Sequence, residues 1–324
     1  MTTTDPVTLE VLRNKLDGIA NEMQSTLLRS SFSPIVKEGL DASACLFSVS
    51  GETLSQSISI PIHLATLIPV IKTFLEYFPL NSLAADDLLV MNDPYMGGTH
   101  LPDIAVAMPI MHQGQPIAIA AAMTHHQDVG GMAPGSVPTN ATEIFQEGIR
   151  IPPLKLRDNG VMNATFVAMM RQNVRMPDAF MGDLNAQIAA CTVGARRLDE
   201  VAGKYGAPTL LRVFDELLDR SEQMTRASLR AIPDGAYSYT DYLDNDGIEL
   251  DKPIPIQVCV RVEDGRLSCS FEGTAPQVRG PFNCVPSGTA AAALFAVRAI
   301  TDPEIPTNGG CFRPVSLDLP EGSL

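Results

Sequence analysis

The chain has five histidines, His63, His100, His112, His125 and His126, and four of them fall between positions 100 and 126 beside polar turns. The block Asp93-Pro94-Tyr95-Met96-Gly97-Gly98-Thr99-His100-Leu101-Pro102-Asp103 holds two carboxylates, one imidazole and a glycine pair. Glycine lets backbone approach closely, and Pro102 stiffens the link from His100 to Asp103, so a tight turn can aim both side chains at one ion. His125-His126-Gln127-Asp128 closes an apolar run, and side chains at a strand's end project into open space. Consecutive strand residues face opposite sides, so only one of His125 and His126 can join His100 and Asp103. Spacing does not choose between them. Two imidazoles and one carboxylate suit zinc, manganese or iron and leave positions open for water or substrate. The same residues also read as hydrogen-bonded turn side chains, because no helical HExxH pair fixes their geometry.

Other candidates stand further back. Glu38 and Asp41, three apart ahead of a strand, suit general acid/base work or support of metal ligands, or else form a solvated pair. His126 and Asp128 adjoin the cluster and could support it. His63 follows Pro61-Ile62 at a helix start and reads as a capping or core-edge residue. His112 sits in a turn with Gln113 and Gly114 and reads as exposed. Gly130, Gly131 and Gly135 could form an anion-binding nest, although a structural loop is the plainer reading. There is no Walker A sequence and no GxGxxG after a strand. The six cysteines show no CxxC, and none lies near the histidine cluster.

These residues need a frame. After Asp5-Pro6, apolar residues from Val7 to Leu28 recur at helical spacing, with Asp5 or Thr4 as cap and Pro6 in the first turn. Ala44–Val49 followed by Ser50-Gly51 and Thr53-Leu54 predicts a hairpin. Pro61–Phe78 predicts a helix, Leu88–Met91 a buried strand, and Ile104–Ile110 with Ile117–Met123 a strand pair turning at Gly114. Gly130–Pro138 predicts a loop. Helical spacing returns between Asn163 and Arg230. Ala236–Tyr242, Ile254–Val262 and Leu267–Phe271 alternate as antiparallel strands do, and Ser287–Ile300 predicts one buried helix. The expected fold class is α+β with mixed sheets, in three regions. Residues 1–160 form a metal-site α/β region, 161–232 a helical region, and 233–324 a β-rich region with one helix that looks incomplete at its end.

Composition narrows the function classes. The 324 residues are 45% hydrophobic and 19% charged, ordinary for a globular protein. A net charge of −14 argues against a nucleic-acid binder, whose affinity rests on Lys and Arg. The N-terminus lacks the basic and apolar regions of a signal peptide, and the apolar run Ile117–Met123 is too short to span a bilayer. A reducing, cytoplasmic setting without membrane contact is expected.

Three blocks carry a resemblance: NDPYMGGTHLPD (Asn92–Asp103), THHQDVGGMAPGS (Thr124–Ser136) and TEIFQEGIRIPP (Thr142–Pro153). With them the chain resembles the hydantoinase B/oxoprolinase family from its first helix through PTNGGCFRP (Pro306–Pro314). That family includes the B-type half of N-methylhydantoinase, the matching half of 5-oxoprolinase, and the large subunits of acetone and acetophenone carboxylases. The resemblance implies a hydantoinase B-like fold and one divalent metal held by His100, Asp103 and His125, which selects His125 over His126. It implies a hydantoinase A-type partner that binds ATP and phosphorylates the substrate, so that this chain would use ATP only through that partner. It also implies work in a homo- or hetero-oligomer, and ring opening of a cyclic amide such as a hydantoin or 5-oxoproline. A carboxylase subunit with the same site is the alternative, and a shortened chain with an assembly role the non-enzymatic one. The chain departs from the family at Gly39, where an Arg usually follows the Glu, which weakens a role for Glu38. Family chains also continue beyond PEGSL (Pro320–Leu324).

Overall fold

The computed structural model describes residues 4–324. Helix α1 (Pro6–Ser30) starts where Asp5 accepts hydrogen bonds from the Val7 and Thr8 amides, with Pro6 at the first helical position. Its Leu12, Leu16, Ile19, Met23 and Leu27 are buried on one face. The short α2 (Pro34–Lys37) follows, then β1 (Ala42–Phe47), β2 (Thr53–Gln56), α3 (Leu67–Tyr77), β3 (Leu88–Met91), β4 (Asp103–His112) and β5 (Gln115–His125). Next come β6 (Leu154–Asp158), β7 (Val161–Met162), α4 (Ala164–Asn173), α5 (Pro177–Tyr205) and α6 (Ala207–Leu229). The last elements are β8 (Gly235–Leu243), β9 (Ile254–Glu263), β10 (Arg266–Ser270), α7 (Pro286–Ile300) and β11 (Val315–Asp318). The α+β class with mixed sheets is what the sequence predicts.

The first sheet runs β2-β1-β5-β4-β3-β6-β7, with every neighbouring pair antiparallel. Period-two alternation sorts its side chains onto two faces. Ala44 and Leu46, Ile104 and Val106, and Ala120 and Ala122 face the core shared with α1 and α5. Cys45 and Phe47, Ala105 and Ala107, and Ala121 and Met123 face α3, whose Leu67, Val70, Ile71 and Phe74 complete a second core. Alanines along β5 let α5 lie close over the sheet. Within that layer, a Cβ on Gly194 would stand 2.5 Å from Met23 Sδ, so α1 and α5 need glycine there to touch.

The second sheet runs β11-β10-β9-β8, with β10 and β11 parallel and the other pairs antiparallel. Its core joins Leu229 of α6 with Ala293 and Val297 of α7. Helix α7 also packs on the turn Pro61–His63 next to the first sheet.

Two sequence expectations change, and one pair of strands has no sequence signal. Pro61–Phe78 is not one helix: a 3-10 turn at Pro61–His63 breaks at Ala65, whose φ is +64°, before α3 begins at Leu67. Helix α7 is only half covered, with Phe295 and Ile300 exposed. Strands β6 and β7 form the sheet's far edge without the alternation that would announce them. Among the described residues no helix is long and apolar enough to cross a membrane, and all six cysteines are free thiols.

Candidate metal centre

The site grows from strand register. Asp103 at the start of β4 lies directly opposite His125 at the end of β5, and both project to the α3 side of the sheet. On the other flank the His125 amide donates to the Asp41 carbonyl, just ahead of β1. Three adjacent strand ends thus present Asp41, His125 and Asp103 in a row.

His100 reaches the same place from the loop before β4. That loop is held tightly. Asn92 Nδ2 donates to the Leu101 and Ile149 carbonyls at 2.7 and 2.9 Å, and its Oδ1 accepts from the Ile151 amide at 2.6 Å. The Gly98 amide donates to the Asp93 carbonyl. A Cβ on Gly98 would stand 2.9 Å from the carbonyl oxygens of Asn92 and Asp93, which is why the glycine pair is there. The Asp103 amide closes the turn on the His100 carbonyl.

The donor atoms of His100, Asp103 and His125 all lie within 4.8 Å of one another. His100 Nε2 is 3.2 Å and His125 Nδ1 3.5 Å from Asp103 Oδ1. Yet among the described residues that buried oxygen has no hydrogen-bond partner, because neither ring aims a proton along it. Asp103 Oδ2 accepts from the Thr99 hydroxyl. A buried carboxylate oxygen with two imidazole nitrogens around it and no hydrogen bond to either is the donor chemistry a divalent cation fits. Burial opposes the charge on Asp103, but the neighbouring His100 and His125 rings, with His63 behind them, hold its carboxyl well below the usual carboxylate range. For His100, burial works downward and is outweighed by Asp103, Asp41 and Glu147, which raise it.

The remaining predicted residues separate. Asp41 belongs to the site: its Oδ2 is 3.8 Å from His125 Nδ1. Glu38 does not; it is exposed at the end of α2 and makes no ion pair or side-chain hydrogen bond among the described residues. His126 points to the opposite face, fully buried, with Nε2 3.0 Å from Gln187 Oε1 and its ring against Phe180. Asp128 is committed to its own loop, accepting from the Gly130, Gly135 and Arg175 amides and pairing with the Arg175 guanidinium at 2.9 Å. That pairing makes Gly130–Ser136 a structural loop. His112 is largely covered, with Nδ1 2.7 Å from Asp199.

Two residues join the surroundings of the site without a sequence reading that assigns them there. His63, expected at a helix start, is buried and lies 2.7 Å from Asp41 Oδ1. The break at Ala65 that places it has no signal in the helical spacing. Glu147 follows a short 3-10 turn and is half-buried. Burial pushes its carboxyl up, and His100 acts in the other direction. Its only signal was its place in the block Thr142–Pro153.

The hydantoinase B/oxoprolinase family model matches residues 5–324. The chain belongs to the hydantoinase B/oxoprolinase family. It is 34% identical over 326 residues to the beta chain of the caprolactamase of Pseudomonas jessenii, covering 100% of this chain and 55% of that one. It is 33% identical over 335 residues to the B-type chain of a putative D-/L-hydantoinase from a Pseudomonas strain, covering 99% and 56%. The crystal structure of the ATP-dependent caprolactamase from Pseudomonas jessenii superposes with a TM-score of 0.92 at 32% identity, covering 100% of this chain and 55% of that one. Nucleotide-free acetone carboxylase superposes with a TM-score of 0.91 over 98% of this chain and 44% of that one; at 22% identity this is likeness of fold alone. The chain spans about half the length of these relatives.

Proposed function

We propose that this chain is the metal-binding subunit of an ATP-dependent cyclic-amide hydrolase. It opens a hydantoin, 5-oxoproline or similar lactam together with a hydantoinase A-type subunit that binds ATP. The observation that carries the reading is the convergence of His100, Asp103 and His125 on a buried carboxylate oxygen that no hydrogen bond satisfies.

His100, Asp103 and His125 would hold the ion, with Asp41 beside them. A divalent ion in such a set polarises a carbonyl oxygen or makes water a better nucleophile. Around it the chain's own groups manage protons. Asp41, next to His125, accepts the proton of the attacking water as the C–O bond forms. Glu147, whose carboxyl burial favours in its protonated form, supplies a proton to the ring nitrogen as the C–N bond breaks. Water thus adds across the amide bond, its hydroxyl to carbon and a proton to nitrogen. ATP is assigned to the partner, in keeping with the subunit names of the hydantoinase and caprolactamase relatives. Those names, at 33–34% identity, favour ring opening over carboxylation, for which the support is a likeness of fold.

The test is product analysis of the chain with its ATP-binding partner, ATP and a panel of hydantoins, 5-oxoproline, caprolactam and ketones. Ring-opened acids are expected only with ATP and metal present. A carboxylated ketone as the sole product, or metal-free protein whose activity is unchanged by His100→Ala, overturns the reading.

A further inference from the structure

A hydrogen-bonded chain lies behind Asp41, and the ring-opening chemistry above leaves it without a role. His63 sits on the 3-10 turn Pro61–His63 with 2% of its surface exposed. Its Nε2 is 2.7 Å from Asp41 Oδ1, and its Nδ1 is 3.1 Å from Ser43 Oγ on β1, itself fully buried. A carboxylate only accepts, so Nε2 carries the proton, and in the neutral ring Nδ1 accepts from the Ser43 hydroxyl. Among the described residues this is the single hydrogen bond made by the Asp41 side chain. The other oxygen, Oδ2, is thereby left toward His125 Nδ1 at 3.8 Å.

The backbone on both sides is built to keep this arrangement. The His63 carbonyl accepts from Gln56 Nε2 at 3.0 Å and from Thr66 Oγ1 at 3.1 Å. Leu40, just before Asp41, has φ +57°, and Ala65, two after His63, has φ +64°. Left-handed non-glycine residues persist only where surrounding structure forces them, and two of them flank one hydrogen bond. Helix α7 packs on the turn that carries His63.

We propose that His63 is a positioning residue of the metal centre: it holds Asp41 by Oδ1 so that Oδ2 faces the His100–Asp103–His125 cluster, with Ser43 fixing its tautomer. The inference rests on the metal reading of that cluster. Partners that orient the ligands of a metal typically change metal affinity or activity by about 10- to 100-fold when removed.

The experiment is titration of the metal-stripped, partner-bound protein with Zn2+, followed by steady-state kinetics. His63→Ala is expected to weaken Zn2+ binding by about 10- to 100-fold and to lower kcat with little change in KM. His63→Gln, whose side-chain amide can still donate to Asp41, is expected to recover most of both. Ser43→Ala, which leaves the Asp41 contact in place, is expected to cost only a few-fold, about 2- to 5-fold, from a looser tautomer. Wild-type Zn2+ affinity in both His63 variants overturns the proposal, and so does a His63→Gln protein that folds but recovers nothing. Should His63→Ala not fold, His63→Gln and Ser43→Ala decide by the same criteria. If the wild-type protein takes up no Zn2+ and His100→Ala behaves as wild type does, the metal reading itself falls and takes this one with it.

Discussion

His125 and His126 are adjacent in sequence and lie on opposite sides of a sheet. Alternation along a strand says that only one of them can face the site, and it stops there. The choice needs the register of β4 and β5 and the position of α5, none of which the spacing contains. His125 stands beside Asp103 and Asp41, while His126 is walled in by Gln187 and Phe180. The two histidines should therefore fail differently. His126→Ala removes a buried ring and leaves Gln187 Oε1 without its donor, so we expect a loss of about 2–4 kcal/mol in urea unfolding with metal content unchanged. His125→Ala is expected to lose bound metal, by elemental analysis, at little cost to the apoprotein. If both variants keep their metal, the ligand set is wrong. The acidic pair separates in the same way. Asp41→Ala should reduce turnover by about 10²- to 10⁴-fold, whereas Glu38→Ala, on an exposed helix end, should leave kcat and KM as they are. A large effect at Glu38 would mean that α2 moves into the site on assembly. The contact of His63 with Asp41 and the place of Glu147 are not legible in the sequence because each residue is set by a 3-10 turn, and isolated residues of that kind have no period to detect.

Elements with strong alternation or long apolar stripes were readable. Strands β3, β4 and β5, helices α1, α5 and α6, and the β8–β10 series lie where their patterns predict. The helix break at Ala65 and the edge strands β6 and β7 were not, since tertiary packing decides them against local preference. The loop after β5 falls between these cases. Its glycines announced a special backbone, and the structure supplies the cause, a buried carboxylate gathering the amides of Gly130, Gly135 and Arg175. Asp128→Ala should strand those donors and the Arg175 guanidinium, costing about 2–4 kcal/mol. The pH dependence follows the same group. Burial tends to raise the Asp128 carboxyl, but its amide and Arg175 hydrogen bonds outweigh that and hold it below the ordinary value. With the folded-state value depressed, the stabilisation is present above the unfolded-state value, about 4, and is lost as pH falls below it. Unfolding midpoints of wild type and Asp128→Ala should converge between about pH 4 and pH 2. A constant difference across that range would remove Asp128 from the account.

At the scale of the whole molecule, the first sheet is covered on both faces and the second is not. Among the described residues strand β8 pairs with β9 on one side only, which leaves its outer edge open. Its Tyr237, Tyr239 and Tyr242 are 47%, 69% and 60% exposed, and Phe295 on α7 is 46% exposed. An open edge carrying aromatics invites pairing with another chain, and along Gly235–Leu243 there is no lysine or proline and a single charge, Asp241, to oppose it. A net charge of −14 acts against this. Like charges hold copies apart at low ionic strength, and salt screens them within about 10 Å at 0.1 M. The two effects make a joint prediction for the isolated chain. In sedimentation velocity it should remain dispersed at low salt and associate, in a concentration-dependent way, as salt is raised. Tyr239→Lys combined with Tyr242→Lys should suppress that association without moving the unfolding midpoint, because neither side chain contributes to a core. Adding the proposed ATP-binding partner should slow amide exchange along β8 if assembly covers this edge. A chain that stays monomeric at every salt and concentration would show that the edge is protected by its own twist, and the exposed tyrosines would then need another explanation.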